Sequence, residues 1–135
     1  MTFLLALLLV ADLASVKAEP NLERRADAAI RFAHESVAQA REATAAGDSG
    51  KLKERLGEIE AAALICKESL DATGKSARRS PKHFKQAELR LRELMRRLKG
   101  LSESAGIEDR DAIDATEKKV AEVHEHVLGE IMTKK

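Results

Sequence analysis

Four separate segments of this chain carry apolar residues spaced alternately three and four apart, and this repeat constrains the fold more than any other feature. The clearest copy is Leu52, Leu56, Ile59, Ala63, Cys66, Leu70 and Thr73. An α-helix gathers that spacing on one stripe, whereas a strand scatters it over both faces. A lone amphipathic stripe cannot leave water, so four of them must close on one another.

The first helix is expected over about residues 20–46, opened by Pro20, whose missing N–H costs nothing in a first turn. Its seam, Ala26, Ile30, Ala33, Val37, Ala40 and Thr44, is rich in alanine, so a neighbouring helix can approach closely. The second helix is expected over 50–73, between Asp48 or Ser49 as N-cap and Gly74 as C-terminal stop. Ser80-Pro81 starts the third, over 81–102, with the seam Phe84, Ala87, Leu91, Leu94, Leu98 and Leu101. The fourth, over 109–132, has the seam Ile113, Thr116, Val120, Val123, Val127 and Ile131. Acids at Glu108, Asp109 and Asp111 and bases at Lys134 and Lys135 suit its dipole. The turns between these helices are short. The expected fold is therefore all-α, an up-down-up-down four-helix bundle, with helical hairpins that dimerise into a bundle as the runner-up.

The chain begins differently. Phe3–Ala11 is an apolar run too short to span a bilayer, and it leads to Val16-Lys17-Ala18, with small residues at the −3 and −1 positions before Glu19. This is the pattern of an export signal cleaved between Ala18 and Glu19. It predicts a signal peptide over residues 1–18 and a single domain over 19–135, periplasmic or secreted, with no transmembrane span in the mature part. The opposing reading makes residues 3–16 an extra helix on the domain or an uncleaved anchor.

Composition narrows the function. There is no Trp or Tyr, and the mature part holds only Phe32 and Phe84 as aromatics. Ligand pockets and interface hot spots draw heavily on aromatic side chains, so a small-molecule enzyme is disfavoured. Removing Asp12 and Lys17 with the signal leaves the net charge at +1, so overall charge selects no partner.

The distribution of charge is uneven. Segment 75–99 holds ten bases against Glu88 and Glu93, a net of +8, while segment 101–126 has a net of −5. Mutual neutralisation of the third and fourth helices would account for this. The alternative is an anion-binding face, because Lys82, Lys85, Arg92, Arg96 and Lys99 fall on one outer stripe of the third helix. No aromatic residue interleaves them, which argues against stacking on single-stranded nucleic acid. Export would remove nucleic acid as a partner in any case. Phospholipid head groups or acidic polysaccharides of the envelope are the fitting anions.

No catalytic constellation is found. His124 and His126, two apart on a helix, point about 200° from each other and do not converge on one ion. The Glu-x-x-His pairs of di-iron bundles are absent. A single cysteine forbids covalent haem attachment, and no facing pair of methionine and histidine can be argued for Met95 or Met132. Cys66 lies in the second seam among apolar neighbours and is read as core, with crosslinking of two chains as its sharper alternative. No metal or cofactor is expected. The expected role is that of an exported, non-enzymatic interaction or structural protein, with an unspecified protein or envelope component, or a second copy, as partner.

Residues Pro81–Arg90, Leu94–Leu98, Glu108-Asp109-Arg110 and His124–Leu128 together resemble short exported bacterial helical proteins of unassigned function, over about residues 80–132. The resemblance implies an envelope-exported helical protein and carries over no activity. Exported helical chaperones of envelope stress share size and compartment, but their Leu-Thr-x-x-Gln repeats are missing here.

Overall fold

The structure, a computed structural model, describes residues 13–79 and 81–133. Helices α1 (Leu22–Ala45), α2 (Ser49–Ala72), α3 (Pro81–Ser104) and α4 (Ile107–Met132) carry the domain, and no strand occurs among the described residues. This all-helical architecture is that of a helical bundle. No described helix is long and apolar enough to cross a membrane. The apolar run 3–11, the capping Ser80, and Lys134 and Lys135 lie outside the described residues.

Local chemistry sets the helix ends. Asn21 caps α1 by accepting the Arg24 N–H, so the helix begins two residues after Pro20. An asparagine oxygen satisfies an orphan N–H, which the proline ring cannot do. Asp48, rather than Ser49, caps α2 by accepting the Lys51 N–H. Ser49 instead donates its hydroxyl to Asp109 at the start of α4. Gly47 takes a φ of +71°, which lets its own N–H reach Thr44 and the Asp48 N–H reach Ala43. That pair of bonds closes α1, and a side chain at Gly47 would resist the left-handed backbone it needs.

The four apolar seams meet in one core. Ile30, Val37, Leu52, Ile59, Leu70, Leu91, Leu94, Leu98, Ile113 and Val120 are among its fully buried side chains. Thr44, Thr73 and Ile131, at the seam ends, are half-buried. α1 and α2 make the most extensive contact of any pair, followed by α3 and α4. Ala29, Ala33, Ala40, Ala62 and Ala63 are all buried, and their small side chains let the first pair of helices lie close.

The two hairpins meet along α1·α3 and α2·α4, while α2 and α3 barely touch. Around the core the order is therefore α1, α2, α4, α3. Polar contacts mark these seams. Glu23 pairs with His83, and His34 bonds to Arg90 and Arg97, between α1 and α3. Ser49 bonds to Asp109, Glu60 to Thr116 and Lys119, and Asp71 to His126, between α2 and α4. Residue numbers rise together along both seams. Between α3 and α4 they run oppositely, from Glu88–His124 to Ser102–Asp114.

Residues 13–18 are helical and lie over the outer crevice between α1 and α2. Val16 is only 6% exposed and lines this crevice with Ala28, Arg31 and Phe32. Lys17 faces Ile65, Ser69 and Ala72 on its other flank, and the Glu19 carbonyl accepts the Arg25 Nε–H at 2.8 Å.

Candidate functional site on the outer face of α3

The helical repeat of α3 divides its surface. Phe84, Ala87, Leu91, Leu94, Leu98 and Leu101 occupy an arc of about 100° toward the core. Lys82, Lys85, Arg92, Arg96 and Lys99 occupy an equal arc almost opposite it, and all five are exposed. Arg90 and Arg97 stand on the flank toward α1, where both are half-buried. The basic segment therefore splits into a solvent-facing stripe and a seam-facing pair.

The stripe is not uniform. Arg92 is held by Glu88, with Nε to Oε2 at 2.9 Å and Nη2 to Oε1 at 2.6 Å, a two-point grip of guanidinium on carboxylate. Lys82, Lys85, Arg96 and Lys99 have no ion-pair partner among the described residues. Their charge is therefore available to an external anion. Lys75, Arg78 and Arg79 extend the basic region into the preceding loop, where all three are exposed.

Glu88 is the one buried charged residue among the described residues, 7% exposed at the α3–α4 seam. Its Oε2 accepts the Nε2–H of His124 at 2.8 Å as well as the Arg92 bond. Burial alone would push this carboxyl up. The bonds from His124 and Arg92, together with the Arg92 charge, outweigh burial and hold it below the usual carboxylate value. The Glu88–His124 hydrogen bond thus joins an acid of α3 to a basic side chain of α4. That polarity is the reverse of the one expected from segments 75–99 and 101–126.

His34 sits on the opposite flank of α3. Its Nδ1 lies 2.8 Å from Arg97 Nη1, and its Nε2 lies 3.1 Å from the Arg90 carbonyl. A guanidinium only donates and a carbonyl only accepts, so these partners place the ring proton on Nε2. Burial pushes His34 below the ordinary value of 6.5, opposed by the Arg90 carbonyl bond and Glu93 and helped by the Arg97 and Arg90 charges. Its neutral form is the one that fits. Stability from this contact is complete above the ordinary histidine value and is lost as pH falls through the lowered one. Urea unfolding at pH 7.5 and 5.5 should therefore show acid loss of stability in the native chain. His34→Gln, which can still accept and donate, should show a smaller loss. Equal pH dependence in the two would remove His34 as a source.

His124 and His126 reach Glu88 on α3 and Asp71 on α2, on opposite flanks of α4. No group of three or more metal-ligating side chains gathers among the described residues. Cys66 is fully buried, and burial pushes its thiol up to about 12, with Asp27 and Asp71 adding to the shift. A thiol so placed is not a nucleophile at neutral pH.

The buried Glu88 and the bridging histidines were missed by reading apolar seams alone. The i,i+4 spacing of Glu88 and Arg92 was the available signal for the first. Nothing local marked the second. No family model matches the chain, and no curated protein or solved structure is significantly similar to it.

Proposed function

We propose that this chain is an exported, non-catalytic up-down-up-down bundle that works through its surface, binding an anionic component of the cell envelope on the outer face of α3. The observation that carries this reading is the outward stripe of Lys82, Lys85, Arg96 and Lys99, exposed and without ion-pair partners among the described residues. The rising residue numbers along α1·α3 and α2·α4, and the opposed ones along α3·α4, support alternating helix directions.

Export is supported by the signal-like pattern of residues 1–18. Val16 packs on the α1–α2 crevice in the uncleaved chain, and cleavage after Ala18 removes that contact from the mature domain in this reading.

Two measurements test the proposal. Intact mass after cell fractionation should match residues 19–135 outside the cytoplasm. An uncleaved cytosolic product would sink export. Retention on an immobilised sulfated polysaccharide should fall with salt, since exposed charges are screened within about 10 Å at 0.1 M. The double variant Lys85→Glu/Arg96→Glu should lose retention at unchanged helical circular dichroism. Undiminished retention would remove the α3 face as the site.

A further inference from the structure

Leu89 is the exposed large apolar residue of α3, at 58% exposure. On the helical wheel it falls inside the basic arc, one turn from Lys85 and Arg92 and two turns from Arg96. Its neighbours in chain, Glu88 and Arg90, turn toward the α4 and α1 seams, and its neighbours one turn away are Lys85, Gln86, Arg92 and Glu93. Single exposed leucines are ordinary on protein surfaces. This one lies at the centre of a cationic stripe that runs from Lys82 to Lys99, about 25 Å along the helix. Glu93 and Glu103 are the exposed acids nearest the stripe.

Resting on the anion-binding reading, we propose that the occupant of this face is an anionic phospholipid bilayer, with α3 lying flat on it and Leu89 dipping between the head groups. Charge complementarity supplies the attraction, because the negative potential of such a surface draws Lys and Arg side chains near it. The apolar side chain selects lipid over a soluble polyanion, since a polysaccharide offers no hydrocarbon to bury it. Arg92 gives less than the other bases because Glu88 already holds it. The long aliphatic stems of Lys85, one turn before Leu89, and Arg96, two turns after it, keep their charged ends at head-group level, as amphipathic side chains do at interfaces. The remaining surface need not insert, so binding is shallow and reversible.

Vesicle co-sedimentation of the purified chain tests this. Phosphatidylcholine vesicles with and without 30% phosphatidylglycerol would be compared at low and high salt, alongside a soluble sulfated polysaccharide. The expected result is binding to the anionic but not the neutral vesicles, with weaker binding to the polysaccharide, both lost at high salt. Leu89→Ala should weaken vesicle binding roughly three- to tenfold and leave polysaccharide binding unchanged. Lys85→Glu/Arg96→Glu should weaken both. Because Leu89 is exposed, its variant should keep its helix content, which circular dichroism checks. Binding to polysaccharide without binding to vesicles overturns the lipid proposal and preserves the anion-binding reading. Equal vesicle binding by Leu89→Ala overturns the insertion of that side chain. No binding to either probe at low salt overturns the anion-binding reading itself.

Discussion

Leu91→Ala is expected to lower the unfolding free energy by about 3 kcal/mol, within the 2–5 kcal/mol span for buried leucines. Leu91 is fully buried in the middle of the α3 seam, where the core has contributions from all four helices. Truncation removes the transfer free energy of three carbons and leaves a cavity that helices pinned on both flanks cannot close. His34–Arg97 holds α3 to α1, and Glu88–His124 holds it to α4. A domain of this size has roughly 5–15 kcal/mol to lose, so one substitution takes a large share. Urea titration followed by circular dichroism would measure it. A loss under about 1 kcal/mol would mean that α3 does not turn this face to the core.

The second large effect has the opposite geometry. Ala62→Leu should destabilise by about 1–3 kcal/mol or more, because it adds volume where α1 and α2 approach most closely. Ala62 is fully buried on α2, and Ala29, Ala33 and Ala40 are buried on α1. None of these can shrink to make room, so the helices must separate and loosen the contact that dominates the first hairpin. Leu64→Lys is the control on the same helix. Leu64 is 48% exposed, and its substitution should change stability by less than about 0.5 kcal/mol. If Ala62→Leu matched the control, the close approach of α1 and α2 would be disproved.

These two substitutions differ in how visible their sites are in the sequence. Leu91 is evident from spacing alone, since a 3.6-residue period fixes which side chains share a stripe wherever the helix sits. The same holds for every seam residue from Ala26 to Val127. It also holds for the outer basic arc, which is the complement of the α3 seam. Ala62 is different. It lies beside the clean α2 seam and becomes critical only because α1 covers it.

Glu88 shows the same division. Its i,i+4 spacing to Arg92 is local and legible, but its burial requires α4, and its second partner, His124, stands 36 positions away. The expectation that α3 and α4 would neutralise each other rested on segment totals. The seam instead uses individual groups. Glu88 meets His124, Ser102 donates to Asp114, and the outward bases take no part. Charge summed over a helix does not say which way each side chain faces.

The sequence by itself determined the helices, their apolar faces and the outward position of Lys82, Lys85, Arg92, Arg96 and Lys99. All of these follow from interactions within a few turns of one chain segment. Only the tertiary structure decided that the hairpins dock with α1 beside α3 and α2 beside α4. It also decided that His34, His83, His124 and His126 each bridge two helices. Apolar seams are interchangeable partners, so periodicity cannot rank the ways of closing them. Polar groups brought together from distant positions can, because each is costly to bury unless its particular partner is in place.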